Sequence, residues 1–332
     1  MARTVRFHEL GGPEVLRLED VETGAPGPGE LLIRVDAIGL NRAEALFRGG
    51  DYIEPVKEFP ARLGAEAAGV VEAAGAGVPG FEPGRSVSVV PAFSMNDYGV
   101  YAERAIVPAA AVVPRPAGLG AVEGAAVWMP FLTAYGALVE TGGMRAGDTV
   151  VLTAASSSVG LAAIQVAERV GATPIATTRT RAKAERLRAA GAAEVIVAGE
   201  EDVVTRVREL TGGRGAAHVF DAVAGPGVRE LAKGVAPGGS LILYGMLSGE
   251  PTPYPGFELG MPALSLRTYT VHETTTDPER LRRAAAFVLS GLRAGAFRPV
   301  VDRVFGLDEI VEAHRHLESG AQIGKIVVTV DH

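Results

Sequence analysis

The chain has 332 residues, enough for two domains, and 47% of them are hydrophobic, enough for two cores. A formal net charge of −7 disfavours nucleic acid or an anionic membrane as the main partner. Because there is no cysteine, disulfides, thiol nucleophiles and thiolate zinc sites are excluded together.

The first part of the chain is predicted to be a β-rich domain. Short apolar stretches that favour strands alternate with turns rich in glycine and proline. The predicted strands cover residues 4–8, 30–37, 69–74 and 85–91. No segment here resembles an export signal, so we expect a cytoplasmic protein. The longest apolar run, 125–139, is interrupted by polar residues, glycine and proline, and we expect it to be too short to span a bilayer.

From about residue 122 the pattern changes to alternating helices and strands, which is typical of a parallel sheet with right-handed crossovers. The predicted strands cover residues 149–153, 174–178, 195–197, 217–221, 240–244 and 264–271. Helices are predicted between them and at 278–291. The last strands, 300–305 and 325–330, are expected to return to the β-rich domain.

Residues 148–181 carry the main functional signal. A buried strand leads through the small-residue turn 154–160 into an amphipathic helix and a second strand. Two glycines of the usual dinucleotide-binding pattern are replaced by Ala154 and Ser157, but the strand–turn–helix context is the one that the pattern requires. We therefore predict that Ser157, Ser158, Val159 and Gly160 bind a pyrophosphate at the helix N-terminus.

The end of the second strand predicts which dinucleotide binds. An NAD site places an acidic residue there, whereas an NADP site places cations for the 2′-phosphate. Here Thr178 and Arg179 end the strand, Lys183 follows, and no carboxylate is present. We predict NADPH, bound through these three residues; the alternative that Arg181 and Lys183 only begin an exposed charged helix stays open.

Several segments together resemble the medium-chain dehydrogenase/reductase superfamily, in particular its zinc-free quinone oxidoreductase branch, the zeta-crystallin type. They are GPEVL at 12–16, GLN at 39–41, LGAEAAGVV at 63–71, TAYGAL at 133–138 and GKIV at 324–327. The resemblance implies an α/β protein with a GroES-like β-rich catalytic domain and a doubly wound, parallel-sheet Rossmann domain. The corresponding boundaries are 1–122 for the first part of the catalytic domain, 123–272 for the nucleotide domain and 273–332 for the return.

The resemblance also indicates whether the chain can bind the catalytic zinc ion of the superfamily. Zinc-bearing members of the superfamily hold their catalytic ion with Cys, His and Cys, and the matching positions are Asn41, Ala65 and Met129. None of these replaces a thiolate or an imidazole, so we expect no metal. Glu44 and Glu66 are expected to be a salt-bridge or hydrogen-bonding partner and a buried structural acid. His314 and His316 are expected at the surface, since residues two apart point to different sides of a helix.

Without zinc, the resemblance implies hydride transfer from NADPH to a quinone or another conjugated carbonyl, held in the cleft between the domains. Tyr52 is the candidate proton donor or oxyanion partner. Asn41 is expected to hydrogen-bond the substrate or the nicotinamide ribose. Family analogy puts Thr133, Tyr244 and Gly245 near the nicotinamide.

Two other functions stay open at this point. One is a 2-enoyl thioester or enone reductase of the same fold. The other is an NADPH-binding structural or RNA-binding protein of the crystallin type, against which the acidic charge counts. The apolar edge strand at 264–271 predicts a homodimer, because an unprotected edge is normally covered.

Overall fold

The computed structural model describes residues 1–256 and 263–332. The strands are β1 (Ala2–Phe7), β2 (Leu16–Val21), β3 (Glu30–Gly39), β4 (Ala67–Ala74), β5 (Ser86–Val89), β6 (Arg104–Pro108), β7 (Val112–Pro114), β8 (Thr149–Leu152), β9 (Thr173–Thr178), β10 (Glu194–Val197), β11 (Ala216–Asp221), β12 (Val235–Leu243), β13 (Ser265–Thr268), β14 (Val301–Gly306) and β15 (Lys325–Thr329). The helices are α1 (Arg42–Gly49), α2 (Ala121–Gly124), α3 (Trp128–Ala134), α4 (Ser158–Val170), α5 (Ala184–Ala189), α6 (Val203–Leu210), α7 (Val228–Lys233), α8 (His272–Thr275), α9 (Pro278–Arg293) and α10 (Ile310–Ser319).

The chain divides into two compact units. The first comprises residues 1–129, 275–278 and 299–332, and the second comprises 130–274 and 279–298. The second unit thus keeps residues 279–298, which the sequence analysis had assigned to the returning segment 273–332. The reason is local packing: Arg280 and Arg283 of α9 both pair with Glu140, and the ring of Phe287 lies 4.6 Å from that of Tyr135.

The first unit is β-rich, as predicted. Its main sheet has the order β14-β15-β3-β4-β5-β7, with β6 also paired to β3, and β1 and β2 form a separate ribbon. Strand β3 is central because its inward side chains, among them Leu31, Ile33 and Val35, are fully buried and alternate with outward ones. Strand β15 pairs antiparallel with β3, so the end of the chain completes the sheet that the beginning starts.

The predicted surface position of His314 is wrong, because α10 buries this residue completely. The Arg48 guanidinium, buried in α1, donates to His314 Nδ1 at 2.8 Å, and His314 Nε2 lies 3.2 Å from the Tyr101 hydroxyl. Burial, together with Arg48, lowers the pKa of His314 to about 3, so the imidazole is neutral. His316 points elsewhere and pairs with Asp302 at 2.8 Å.

The second unit contains the predicted doubly wound sheet. All of its paired strands are parallel, and their order is β10-β9-β8-β11-β12-β13. The chain therefore winds outward from β8 in one direction and then outward from β11 in the other. Ligands of such sheets bind outside the carboxyl ends of the two strands where the direction reverses, which are β8 and β11 here.

Residues 121–141 form an apolar helical stretch that is part of the fold. By length and composition it could cross a bilayer, which corrects the expectation that it is too short, but 78% of its apolar window is buried inside the protein. Its last two turns, Tyr135–Thr141, are a π-helix. Gly136 is required there because a Cβ would overlap the buried hydroxyls of Tyr269 and Thr274, which hydrogen-bond each other at 2.8 Å.

We predict that Gly136→Ala lowers the free energy of unfolding by about 1–3 kcal/mol, because the added methyl group overpacks this contact. Alanine elsewhere in a helix is more favourable than glycine, so the overlap reverses the usual sign. Gly227→Ala is the matched control, since a Cβ there meets nothing within 4 Å. Thermal unfolding of both variants checks this; equal midpoints would contradict it.

Candidate functional site

The turn that follows β8 lies at the switch point of the sheet. Ala154 takes a φ of 45°, a conformation that glycine adopts more easily. Ser157 then caps α4, its side-chain oxygen accepting from the Gly160 N–H at 3.1 Å. A Cβ on Gly160 would come within 2.6 Å of the Ala155 backbone, so the helix starts directly against the turn.

This turn is suited to bind a phosphate through the backbone. The first N–H groups of a helix lack intrahelical acceptors, and here they belong to Ser158 and Val159. Their side chains and that of Ser157 are only partly buried. The helix dipole adds a partial positive charge at the same place.

A buried carboxylate, Asp221, joins the ends of β8 and β11. It accepts from the Thr153 hydroxyl at 2.5 Å and from the Ala224 N–H at 2.7 Å. The Ala222 N–H in turn donates to the Thr153 hydroxyl at 2.9 Å. Asp221 therefore fixes both turns at the switch point. Asp221 was not among the residues predicted from the sequence, although an acid at the end of an apolar strand indicates a buried carboxylate that needs partners.

The cations that follow β9 differ in their surroundings. Arg181 is exposed and pairs with Glu200, which leaves its charge compensated. Lys183 reaches back to the phosphate-binding turn, where its ammonium donates to the Ser156 hydroxyl at 3.2 Å. Arg179 is exposed directly after the strand, and within residues 1–256 and 263–332 the structure records no ion pair for it. Thr178 is buried, and its hydroxyl bonds the backbone of Thr180.

Tyr244 follows β12 and stacks on Phe220 with ring centroids 3.9 Å apart. Its hydroxyl oxygen is buried, and among the described residues no partner has the geometry of a hydrogen bond with it. Burial raises the pKa of Tyr244, and the nearby Ser157 hydroxyl offsets part of that rise. Gly245 allows close approach to the turn after β11, because a Cβ would lie 2.6 Å from the Ala222 carbonyl oxygen.

These residues fit a dinucleotide. The buried hydroxyl of Tyr244, the small-residue turn and the helix N-terminus lie at the carboxyl edge of one sheet. Thr133, the other residue expected near the nicotinamide, is buried in α3, which precedes β8 in the chain.

The first unit contains a second group of polar residues, centred on Asn41. Asn41 precedes α1, and its N–H donates to Glu44 Oε2 at 2.6 Å. Its side-chain Nδ2 donates to the Gly39 carbonyl at 3.0 Å and to Glu44 Oε1 at 3.2 Å. The Ala65 N–H also donates to Glu44 Oε1, at 3.3 Å.

A buried ion pair completes this cluster. The Lys325 ammonium donates to Glu66 Oε2 and to Asn41 Oδ1, both at 2.5 Å, and the Met129 N–H donates to Glu66 Oε1 at 2.8 Å. The side chains of Lys325 and Glu66 are 1% and 0% exposed. Gly39 makes room for the pair, since a Cβ there would lie 2.8 Å from the Lys325 side chain.

The residues of this cluster do not fit a zinc ion. Asn41, Ala65 and Met129 offer an amide, a methyl and a thioether instead of thiolate and imidazole ligands, and the Asn41 oxygen accepts from an ammonium. Among the residues that the structure describes, no three His, Cys, Asp or Glu side chains are grouped to hold a metal. Glu44 is a hydrogen-bonding partner, one of the roles that the sequence suggested for it, and Glu66 is a buried acid, as expected, with Lys325 as its ion-pair partner.

Tyr52, also in the first unit, is partly buried and packs edge-on against Phe47 at 6.1 Å between ring centroids. Burial is the main cause that raises the pKa of Tyr52 to about 12, and the negative charges of Glu44 and Glu54 add to it. The hydroxyl therefore keeps its proton at neutral pH and can donate a hydrogen bond.

Lys325 was not predicted from the sequence to belong to this group. A lysine that opens the apolar strand KIVVT was the available signal, because a buried ammonium needs a partner.

Comparison with known proteins agrees with this architecture. Residues 158–290 match the zinc-binding dehydrogenase family, and residues 27–117 match the alcohol dehydrogenase GroES-like domain. The chain is 34% identical over 332 residues to a quinone oxidoreductase of Pseudomonas aeruginosa, covering 99% of each protein. It is 30% identical over 333 residues to a 2-haloacrylate reductase of Burkholderia sp, again covering 99% of each.

A solved structure with the same fold is the Escherichia coli quinone oxidoreductase complexed with NADPH, at a TM-score of 0.92 and 29% identity, covering 99% of this chain and 100% of that one. The full-length identity, the GroES-like and Rossmann units and the replaced metal ligands together identify the family. The chain belongs to the medium-chain dehydrogenase/reductase superfamily, among the quinone oxidoreductases.

Proposed function

We propose that this protein is an NADPH-dependent oxidoreductase that reduces a quinone or another conjugated carbonyl without zinc. The observation that carries the proposal is the combination, in one chain, of a dinucleotide-binding turn with an Asn41 cluster that does not fit a metal. The relatives support it, since they include quinone oxidoreductases and a solved complex with NADPH.

The acceptor class follows from the chemistry of the cluster. A zinc ion would stabilise the alkoxide of an ordinary alcohol, and residues 1–256 and 263–332 offer no ligand set for one. Reduction of a conjugated carbonyl instead gives an oxyanion whose charge is delocalised, and hydrogen-bond donors suffice to stabilise it. Tyr52 is the proposed hydrogen-bond donor, because its hydroxyl carries its proton at neutral pH.

Each cofactor-binding residue has a proposed task. Bound NADPH supplies a hydride from its nicotinamide C4. Ser157, Ser158, Val159 and Gly160 hold the pyrophosphate with backbone N–H groups, Arg179 and Lys183 hold the 2′-phosphate, and Thr178 ends the strand beside it. Thr133, Tyr244 and Gly245 line the nicotinamide.

A second candidate is the reduction of an activated alkene, as in an enone or 2-enoyl thioester. The 2-haloacrylate reductase among the relatives favours it, since a haloacrylate is a conjugated acid. Steady-state oxidation of NADPH with a panel of quinones, enones and enoyl thioesters tests both candidates. Turnover with quinones supports the first, turnover with alkenes alone supports the second, and turnover with neither overturns both.

We also propose a cytoplasmic homodimer joined along β13. This strand is the outer strand of its sheet, and most of its side chains are exposed. Between β12 and β13 in the sequence, Tyr254 is 77% exposed, Met246 44% and Leu247 43%. An uncovered edge of this kind is normally paired or protected, and a second copy would continue the sheet. Light scattering at micromolar concentration should give twice the chain mass of 34.3 kDa; the monomer mass would contradict the proposal.

Arg179→Ala is expected to weaken NADPH binding about tenfold to a hundredfold, because it removes a charge-assisted hydrogen bond of about 1.5–3 kcal/mol. NADH has no 2′-phosphate, so its affinity should hardly change, and the loss for NADPH should shrink at high salt. Combining it with Lys183→Ala should enlarge the loss. Arg181→Ala is the control, because Glu200 already compensates that charge. Fluorescence titration with both cofactors measures these affinities; equal losses for NADH and NADPH would show that Arg179 does not read the phosphate.

Tyr52→Phe is expected to lower kcat about tenfold to a hundredfold while NADPH affinity stays the same, since the hydroxyl acts only on the developing oxyanion. With a pKa of about 12, Tyr52 itself should cause no fall in wild-type kcat between pH 7 and about pH 10. Tyr254→Phe, at an exposed tyrosine, is the control. An unchanged kcat with several good acceptors would leave Tyr52 as a packing residue.

A further inference from the structure

Two loops of the first unit are joined by side-chain hydrogen bonds. One is the segment 51–60, which follows α1 and carries Tyr52, and we call it the Tyr52 loop. The other is the segment 92–98 between β5 and β6, which we call the Ser94 loop. Ser94 Oγ donates to Glu54 Oε2 at 2.6 Å, so the two loops are in direct contact.

The amide of Asn96 makes two further hydrogen bonds to the Tyr52 loop, both to its backbone. Oδ1 accepts from the Lys57 N–H at 2.9 Å, and Nδ2 donates to the Pro55 carbonyl at 3.0 Å. Because a backbone N–H only donates and a carbonyl only accepts, the amide has one orientation that fits both. The Asn96 N–H also donates to Ser94 Oγ at 3.1 Å. Ser94 and Asn96 therefore act as one group, which we call the clasp.

The Ser94 loop is itself held by the core of the first unit. Phe93 and Met95, on either side of Ser94, are buried. Tyr98 packs edge-on against Phe93, with 5.7 Å between ring centroids, and its hydroxyl donates to Glu30 Oε1 at 2.8 Å. Glu30 begins β3, the central strand of the sheet. The clasp is therefore attached to the most buried part of this unit.

The Tyr52 loop is more exposed and is bonded to the backbone around it at its two ends. The Asp51 N–H donates to the Leu46 carbonyl at 2.9 Å, and the Ala61 N–H, just after the loop, donates to the Phe7 carbonyl at 2.9 Å. Between these ends Ile53 is 61% exposed. Exposed segments with few packed side chains open locally at a low cost in free energy, so hydrogen bonds in the middle of the loop raise that cost.

Tyr52 lies between the first end of the loop and the clasp. Its ring packs on Phe47 of α1, and Glu54, the acceptor of the Ser94 hydroxyl, follows two residues later. The negative charge of Glu54 contributes to the raised pKa of Tyr52, so this carboxylate lies close enough to act on the phenol. Loss of the clasp would release both the backbone that follows Tyr52 and the carboxylate beside it.

We propose that Ser94 and Asn96 are positioning residues: they hold the Tyr52 loop against the Ser94 loop, so that the Tyr52 hydroxyl keeps the place from which it donates to the acceptor. This rests on the proposed function, which gives Tyr52 its task. It explains how an exposed loop can carry a group that must be placed precisely, since a displacement of about 1 Å can cost about a hundredfold in rate.

The first test measures the clasp without the reaction. A lysine-specific protease can cut after Lys57 in the Tyr52 loop and after Lys233 in α7, and both side chains are exposed. Cleavage follows the population of the locally opened segment. Asn96→Ala should speed cleavage after Lys57 about fivefold to fiftyfold, the effect of two neutral hydrogen bonds, and leave cleavage after Lys233 unchanged. An unchanged rate at Lys57 would overturn the proposal.

The second test asks whether the clasp acts through Tyr52. With saturating NADPH, Asn96→Ala should lower kcat about threefold to tenfold, less than a full displacement of the hydroxyl would cost, and leave KM for the acceptor near the wild-type value. In a Tyr52→Phe background the same substitution should not change kcat, because the hydroxyl that it positions is gone. An equal fall in both backgrounds would mean that Asn96 does not act through Tyr52.

Two further variants guard against an Asn96→Ala protein that does not fold. Ser94→Ala removes the hydroxyl of the clasp and should change the cleavage after Lys57 and kcat in the same directions. Ser94→Thr keeps a hydroxyl at this position and should restore both readouts. If Ser94→Thr is as impaired as Ser94→Ala, the hydrogen bonds of Ser94 are not what holds the loop, and the proposal is wrong.

Gln165→Ala is the matched control in the second unit. The Gln165 amide also bonds backbone in two ways, since it accepts from the Arg298 N–H at 2.7 Å and donates to the Arg298 carbonyl at 3.1 Å. Its removal should leave both kcat and the cleavage after Lys57 unchanged. A fall in kcat as large as that of Asn96→Ala would mean that any lost pair of such bonds slows the enzyme, and the proposal would be wrong.

Failure of this proposal and failure of the proposed function give different results. A wild-type protein that reduces no acceptor overturns the proposed function, and Tyr52 then has no task for the clasp to serve. If the wild type reduces acceptors and Tyr52→Phe slows it, while Asn96→Ala and Ser94→Ala keep the wild-type kcat, only the role of the clasp is wrong.

Discussion

The buried ion pair between Lys325 and Glu66 is the interaction on which the first unit's functional region depends. Taking two charges out of water is costly unless further hydrogen bonds complete the pair, and here Asn41 and the Met129 N–H supply them. Removing one partner of such a pair typically costs about 3–5 kcal/mol. The pair therefore constrains its neighbours: Gly39 must lack a side chain, and Asn41 must present its oxygen to the ammonium.

In the second unit the corresponding constraint is the reversal of strand order between β8 and β11. It brings the turn after β8, the Asp221 carboxylate and Tyr244 to one edge of the sheet. The phosphate-binding groups there are backbone N–H groups and a helix dipole, which do not depend on which small residue forms the turn. This explains how Ala154 and Ser157 can replace glycines: Ala154 tolerates a positive φ, and Ser157 caps the helix.

Elements whose signal is local in the sequence were predicted well. The β-branched strand 149–153 and the turn that opens α4 were placed within a residue of their observed bounds. The prediction failed where partners are distant in the chain. His314 was expected at the surface, and only the fold brings Arg48, 266 positions away, against its ring. Lys325 likewise meets Asn41 across 284 positions, so neither the buried ion pair nor the orientation of the amide could be predicted from spacing.

The central claim is that this chain reduces a conjugated carbonyl with NADPH and its own side chains, without a metal. A single-turnover experiment on protein dialysed against a strong chelator tests it most directly, with NADPH oxidation followed after mixing with a quinone. The account predicts that every occupied site oxidises its NADPH in the chelator, at the same rate as the untreated protein. Loss of the reaction in chelator, with recovery on adding zinc, would contradict it.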